Sequence, residues 1–268
     1  MHLVVSASAL TVALTYAVAG AATVVDNTPT TATKDGTISA GEYAGSTPGG
    51  NGSNSGFGNV VGSDSRLFVD SDAAGALSFG LRKGPADYND VAVIYIDSLA
   101  GGFGSTAALS DPDVGNRGRR AVAPQFGSQL SFAPNFAADY AIALEGSFAG
   151  LYRLQTGSLD FVGSGGLLRS GNDFEIAFSL GQIGLSPGDS FDYVLTYGNP
   201  NGGNDSNAMF RSNQFNGAGF SGGDPGFGDV ALGSGDFNTF SSFAAPVPEP
   251  LAAGGVGLLG LIALRRRR

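Results

Sequence analysis

Short apolar segments alternate with clusters of Gly, Asn, Asp, Ser and Pro from about residue 23 to residue 245. Segments of this kind, bounded by turn-forming residues, are typical of β-strands. The pattern predicts strands at residues 66–70, 76–82, 91–97, 138–144, 151–155, 173–180 and 191–197. Seven or more short strands separated by turn signals predict an all-β domain, a jelly-roll-like β-sandwich.

The predicted strands differ in how their two faces are composed. Residues 174–178 and 191–195 each give one wetter and one drier face, which predicts a half-exposed sheet. Residues 91–96 are apolar on both faces, so we expect this strand in the middle of a sheet.

Other segments lack the strand pattern. Residues 180–185 predict a short helical turn, ended by Pro187 and Gly188. The Gly-rich stretches 48–58 and 199–228 predict long loops, and residues 246–250 predict a linker.

The first part of the chain has the pattern of a secretory signal. An apolar run over residues 3–22 ends in small residues, and Ala19 and Ala21 fit an Ala-x-Ala cleavage site after Ala21 or one residue later. No Lys or Arg precedes the run, so its positive end is the amino terminus with His2. A buried helix and a misassigned start codon stay open as alternatives. The pattern predicts a signal peptide at residues 1–22.

The last residues combine three features. A Pro-Glu-Pro triplet precedes fourteen uncharged residues, 251–264, and four arginines follow. A helix over that run spans roughly 21 Å, short of a hydrocarbon core of about 30 Å. Arginine side chains reach the headgroups and favour the cytoplasmic side, while the prolines keep the preceding segment extended. The residues of this predicted sorting signal are Pro248, Glu249, Pro250, Arg265, Arg266, Arg267 and Arg268.

This tail resembles the PEP-CTERM sorting signal of exosortase substrates. The resemblance covers about the last twenty-two residues. It implies recognition by an integral-membrane exosortase, transient anchoring in the inner membrane, and association with exopolysaccharide or biofilm matrix. The predicted organisation is then a signal peptide at 1–22, a β-sandwich at 23–245 and a sorting tail at 246–268.

Composition narrows the chemistry of the domain. Cysteine is absent and the only histidine is His2, so the mature domain lacks thiolates and imidazoles for metal binding or catalysis. Outside the tail there are ten basic and twenty-two acidic residues, a net charge of −12. This field repels nucleic acid, so nucleic acid is not an expected partner.

A short motif inside the domain shows a second family resemblance. Residues 35–43, which begin Asp35-Gly36 and end Glu42-Tyr43, together with residues 90–97, resemble the start of carbohydrate-binding family 9 and DOMON-like sandwiches. The resemblance implies a sandwich more than any ligand.

Carboxylates are the remaining candidates for chemistry. Asp35, Gly36 and Glu42 fit part of an EF-hand loop, but its first positions lack carboxylates, so a turn into the first strand is expected there. The acidic loops at 70–72 and 111–113 leave a structural calcium ion open. No catalytic, cofactor-binding or metal residue is assigned.

The chain contains two further patterns, one rich in Gly and one basic. The Gly-x-Ser-x-Gly and Gly-x-Gly-x-x-Gly matches within residues 217–223 overlap, which indicates Gly-rich composition rather than a site. Arg117, Arg119 and Arg120 predict a solvated basic loop, with contact to acidic polysaccharide as the alternative.

The predicted function is therefore that of an exported, non-catalytic structural or interaction protein of the cell surface or extracellular matrix, linked to exopolysaccharide. A glycan-binding module, with or without calcium, is the alternative. A glycosidase that uses paired carboxylates is a third reading.

Overall fold

A computed structural model describes residues 22–25, 32–43, 45–48, 60–61, 64–127, 129–200, 208–214 and 240–248. Its helical elements are α1 (Arg117–Val122) and two 3-10 turns, Thr106–Ala108 and Leu180–Ile183. The strands are β1 (Ala22–Val25), β2 (Gly45–Pro48), β3 (Arg66–Ser71), β4 (Ala76–Arg82), β5 (Val91–Asp97), β6 (Phe126–Gly127), β7 (Tyr140–Leu144), β8 (Ala149–Leu154), β9 (Leu159–Ser164), β10 (Leu168–Ser170), β11 (Asp173–Ser179), β12 (Ser190–Asn199), β13 (Ala208–Gln214) and β14 (Ser241–Ala244).

The strands form two sheets. The larger sheet has the order β1-β14-β12-β5-β7-β8-β9, with β13 also paired to β12 and β6 paired to β13. The smaller sheet has the order β10-β11-β4-β3-β2. The pairs β1–β14 and β6–β13 are parallel and the other described pairs are antiparallel. The prediction of an all-β chain is confirmed for the described residues.

The main core lies between the two sheets. Phe79 from the smaller sheet meets Phe191 from the larger one, with ring centroids 6.3 Å apart. Leu67, Ile94 and Leu151 belong to the same buried cluster. Full burial of one such side chain stabilises the fold by roughly 1.5–3 kcal/mol, so this layer is the main source of stability.

A second apolar cluster covers the outer face of the larger sheet. Tyr95 on β5 packs there against Phe132, with centroids 5.0 Å apart, and Val122 of α1 belongs to the same cluster. Because Ile94 points into the main core, β5 is buried on both faces. It also lies between β12 and β7, so the prediction of a central strand is confirmed.

The turn between β3 and β4 shows how local sequence fixes the strand ends. Asp72 Oδ1 accepts hydrogen bonds from Ala74 N at 3.0 Å and Ala76 N at 2.7 Å. Gly75 has φ +89°, a conformation that glycine adopts without strain. This Asp-x-x-Gly turn reverses the chain directly into β4.

All seven predicted strands are present; two have the predicted bounds and the ends of the others differ by at most two residues. The helical turn predicted at 180–185 is present as the 3-10 turn, followed by Gly184 at φ +78°. The loop predicted at 199–228 is wrong in part, because β13 lies within it and pairs with β12. The half-exposed sheet predicted at 174–178 is also wrong, because Glu175 on its polar face is fully buried.

The end of the domain and the termini are described unequally. After β14 the chain continues as coil to Pro248, and Val247 is 74% exposed. The predicted cleavage residues Ala19 and Ala21, and the sorting residues Glu249, Pro250 and Arg265, Arg266, Arg267 and Arg268, lie outside the described residues. No helix in the described ranges is long and apolar enough to cross a membrane.

Candidate functional site

A polar cleft of about 550 Å³ opens at one end of the sandwich. One wall is the β4–β5 connection, which contributes Lys83, Asp87 and Asn89. The other is the β10–β11 hairpin, which contributes Arg169 and Asn172. Loops held by a rigid sandwich are a common location for binding sites.

The hairpin wall is shaped by a two-residue turn. Ser170 pairs with Asp173, which leaves Gly171 and Asn172 as the turn residues. Gly171 has φ +57°, which favours glycine at this position. The turn places the Asn172 side chain at the edge of the cleft.

Lys83 joins the two walls. Its Nζ donates hydrogen bonds to Gly84 O at 3.1 Å, Ala86 O at 2.7 Å and Asn172 Oδ1 at 2.9 Å. All three ammonium hydrogens are therefore used, and Lys83 N also donates to Asn172 O at 2.9 Å. Because the side chain is only 9% exposed, these bonds hold the walls in one arrangement.

The aromatic residues Tyr88 and Phe174 line the cleft, and Tyr197 packs behind Tyr88. Tyr88 lies 4.6 Å from Phe174 and 5.1 Å from Tyr197, measured between ring centroids. Tyr88 Oη donates to Leu144 O at 2.5 Å and accepts from Ala92 N at 3.0 Å. Burial raises the pKa of Tyr88 well above its ordinary value and that of Tyr197 to about 12, so both phenols stay protonated at neutral pH.

The connection between β4 and β5 is attached to Tyr197 on β12 of the larger sheet. Tyr197 Oη accepts hydrogen bonds from Asn89 N at 3.1 Å and Asp90 N at 2.9 Å. These two hydrogen bonds attach the backbone of the β4–β5 connection to the larger sheet. They therefore fix the position from which the Asn89 side chain extends into the cleft.

Arg169 stands at the opposite wall and is exposed. Its guanidinium carbon lies 5.9 Å from the centre of the Phe174 ring. Within the part of the chain that the structure describes, its guanidinium has no salt bridge. With Lys83 it gives the cleft two cations against one carboxylate, Asp87, among the described lining residues.

The motif at residues 35–43 does not line this cleft. It crosses the smaller sheet, where buried Glu175 Oε2 accepts from Asp35 N at 3.0 Å and Gly36 N at 2.6 Å. Glu42 Oε1 and Oε2 accept from Thr33 N at 2.9 Å and Ser39 N at 2.6 Å. These carboxylates accept hydrogen bonds from backbone amides, and Glu175 thereby attaches the motif to the smaller sheet.

A salt bridge fixes the same segment at its centre. Arg82 Nε and Nη2 donate to Asp173 Oδ1 and Oδ2 at 2.7 and 2.8 Å. Arg82 Nη2 also donates to Ile38 O, and Ile38 N donates to Asp173 Oδ2. The two side chains therefore bind both the carbonyl and the amide of Ile38.

The acidic segments 70–72 and 111–113, considered above as candidate calcium sites, also form hydrogen bonds within the domain. Asp70 Oδ2 accepts from Ala32 N at 2.8 Å. Asp111 Oδ2 accepts from Arg119 Nη1 at 2.6 Å and Leu159 N at 2.7 Å. Among the residues that the structure describes, no three acidic or imidazole side chains are grouped as metal ligands.

The three arginines predicted to lie in a solvated loop lie in or at α1, so that prediction is wrong. Asn116 caps the helix by accepting from Arg119 N at 3.0 Å, a signal that the sequence contained. Arg117 pairs with Asp90 at 2.9 Å, and Arg120 donates to Val114 O. Arg119 pairs with Asp111, and its guanidinium lies 5.3 Å from the Tyr152 ring centre.

The chain was compared with protein-family models, curated proteins and solved structures, and nothing matches in any of the three. The cleft was not predicted from the sequence. Its cations, Lys83 and Arg169, are far apart in the chain and become neighbours of one cleft only when β4 and β11 pair.

Proposed function

We propose that the protein is exported and displayed at the cell surface or in the extracellular matrix, after an exosortase-type membrane enzyme has processed its tail. The observation that carries this proposal is the order of Pro-Glu-Pro, a short apolar run and four terminal arginines. In the proposal a signal helix and a C-terminal membrane helix flank a jelly-roll-like sandwich. The arginines hold the short helix in the membrane until the tail is removed.

The described end of the sandwich supports access for a processing enzyme. Phe243 on β14 is fully buried, and Ala245 N donates to Asp189 O at 2.9 Å, which fixes the last part of the domain. Two residues later Val247 is 74% exposed, and Pro248 is exposed as well. Since Pro246 and Pro248 have no amide hydrogen, the segment resists pairing with the sheet and stays extended.

The proposal is tested by intact-mass measurement of the protein exported from a cell that contains an exosortase. We expect a species that lacks the signal peptide and Arg265–Arg268. Replacing Pro248, Glu249 and Pro250 together with Ala should leave the tail attached and the chain in the membrane fraction. Pro246→Ala is the matched control, because Pro246 lies in the same linker outside the triplet. An exported wild-type species that retains the four arginines overturns the proposal.

The second candidate function is that of a glycan-binding module, and the cleft favours it. Amides, a carboxylate and a guanidinium are groups that hydrogen-bond sugar hydroxyls, and the half-buried Tyr88 offers an aromatic surface for a sugar ring. Binding to a glycan array, repeated with a chelator, tests this function. Saturable binding separates a glycan-binding module from a scaffold, and loss of binding with the chelator shows a requirement for calcium.

A further inference from the structure

Arg169 differs from three other arginines of the sandwich in its ionic contacts. Arg82, Arg117 and Arg119 each form a salt bridge with an aspartate. The Arg169 guanidinium carbon lies over the Phe174 ring instead, 5.9 Å from its centre, and the guanidinium has no carboxylate partner in the described ranges. A guanidinium has five N–H donors spread around its plane, so one neighbouring aromatic ring leaves donors available for a ligand.

The surroundings of Arg169 suit an anionic group that carries hydroxyls. Lys83 is held beneath Asn172 and adds a second positive charge, while its own donors are consumed. Asn172 uses its Oδ1 for Lys83, which leaves its Nδ2 donors for a ligand. Asn89 supplies a further amide on the opposite wall.

We propose that this cleft binds the carboxylate of an acidic sugar, such as a uronate residue within a polysaccharide. Arg169 pairs with the carboxylate in the two-bond geometry that guanidinium and carboxylate share. The amides of Asn89 and Asn172 hydrogen-bond hydroxyls of the same sugar. This proposal rests on the glycan-binding function and names its ligand class.

The net charge of −9 does not prevent such binding. At physiological salt the Debye length is about 8 Å, so acidic groups elsewhere on the surface are largely screened from the cleft. The charges inside the cleft, two cations and Asp87, then decide the local field.

A second exposed arginine offers a comparison. Arg153 on β8 lines a smaller depression of about 290 Å³, which also contains the carboxylate of Asp139. In this depression one cation is balanced by one carboxylate, whereas the first cleft has two cations and one carboxylate, so the same anionic ligand is not expected at Arg153. Arg153 is therefore the matched control for Arg169.

The test is calorimetric titration of the full-length chain in a zwitterionic detergent, which carries no sugar headgroup. The probes are oligogalacturonate and its methyl ester, which differ in charge but share the sugar backbone. We expect the acid to bind with roughly tenfold or higher affinity than the ester, because a charge-assisted bidentate pair is lost in the ester.

The variants sharpen this test. Arg169→Ala should weaken binding of the acid roughly tenfold or more, and Arg169→Lys should restore only part of it, because an ammonium keeps the charge but not the paired donors. Arg153→Ala should bind like the wild type. Melting temperatures of the variants confirm that each one is folded.

The outcomes separate this inference from the function on which it rests. If the acid and the ester bind equally, and Arg169→Ala binds like the wild type, the inference is overturned while glycan binding stands. If Arg153→Ala loses as much affinity as Arg169→Ala, general charge attraction explains the binding and the inference is overturned. If neither oligosaccharide binds and no glycan on the array binds, both proposals fail.

Discussion

Tyr43 donates its phenolic hydrogen to Glu175 Oε1 at 2.8 Å, beneath the segment that crosses the smaller sheet. The other oxygen of the same carboxylate binds the backbone amides of Asp35 and Gly36. Glu175 is fully buried, so its charge is compensated by these donors alone in the described structure. The Asp-Gly…Glu-Tyr motif thus attaches residues 35–43 to β11 through Glu175. We call these contacts of Glu175 with Asp35, Gly36 and Tyr43 the clasp.

The clasp predicts a measurable coupling between its two side chains. Tyr43→Phe removes one charge-assisted hydrogen bond and should lower the free energy of unfolding by roughly 1.5–3 kcal/mol. Glu175→Ala leaves three donors without their acceptor and should cost roughly 3–5 kcal/mol, the range for breaking a buried charged network. Denaturant unfolding measures both losses.

A double-mutant cycle supplies the control for the clasp. If Tyr43 acts through Glu175, the loss from Tyr43→Phe should shrink by about 1 kcal/mol or more when Glu175 is already Ala. Strictly additive losses contradict the clasp, because they show that the two side chains stabilise the protein independently.

Asp97 and Asp192 predict how stability depends on pH. They lie directly opposite each other on β5 and β12. Burial raises the pKa of Asp97, and the charges of Asp139 and Asp192 raise it further; burial also raises the pKa of Asp192. The folded state therefore holds these protons more tightly than the unfolded state. Their contribution to stability is fully present below about pH 4 and is lost as pH rises through the folded pKa.

Asp97→Asn tests this sign. Asn lacks the charge but keeps an oxygen that can accept from Ala137 N, as Asp97 Oδ2 does at 2.7 Å. The variant should be more stable than the wild type at pH 7, by less than about 1 kcal/mol because the group is partly solvated. The difference should vanish near pH 4. The exposed Asp64→Asn is the control, and a gain at pH 4 as large as at pH 7 contradicts the prediction.

The sequence predicted elements whose signal is local and missed those whose signal is not. Strand β5 was predicted with its bounds because Val91–Asp97 is a continuous apolar run between turns. Strand β9 was missed because its residues after Leu159 mix polar residues and Gly with an exposed Phe161, so neither period is visible. Glu175 looked solvent-facing because its partners, Tyr43 and Gly36, are more than 130 residues away. The cleft was missed for the same reason.

We predict that the arrangement of the two cleft walls depends on the buried ammonium of Lys83. Lys83→Met keeps the length of the side chain but leaves two carbonyls and the Asn172 amide oxygen without their donor. We expect a loss of roughly 2 kcal/mol or more in the free energy of unfolding. Hydrogen exchange at residues 84–89 should also accelerate, since the ammonium joins the walls.

Lys34→Met is the matched control for the buried cation. Lys34 is more exposed than Lys83, and its Nζ donates to Gly166 O at 2.9 Å and to Gly165 O at 3.4 Å. Its removal should cost less than about 1 kcal/mol, as exposed charged contacts usually do. Equal losses in the two variants contradict the role assigned to burial at Lys83.

Substitution of two adjacent glycines, Gly101 and Gly102, distinguishes the cost of backbone strain from the cost of a steric clash. Gly101 and Gly102 have φ +116° and +83°, so Ala is strained at both positions. A Cβ on Gly101 meets nothing within 4 Å, whereas one on Gly102 lies 2.2 Å from Ala137 O. Ala137 precedes Ala138, whose bridge with Phe103 attaches this loop to the start of β7.

Gly101→Ala should therefore cost about 1–2 kcal/mol from strain. Gly102→Ala should cost roughly twice as much or more, because the backbone of Ala137 has to move. Thermal and denaturant unfolding of the two variants measure the difference, and equal losses would show that conformation alone sets the cost.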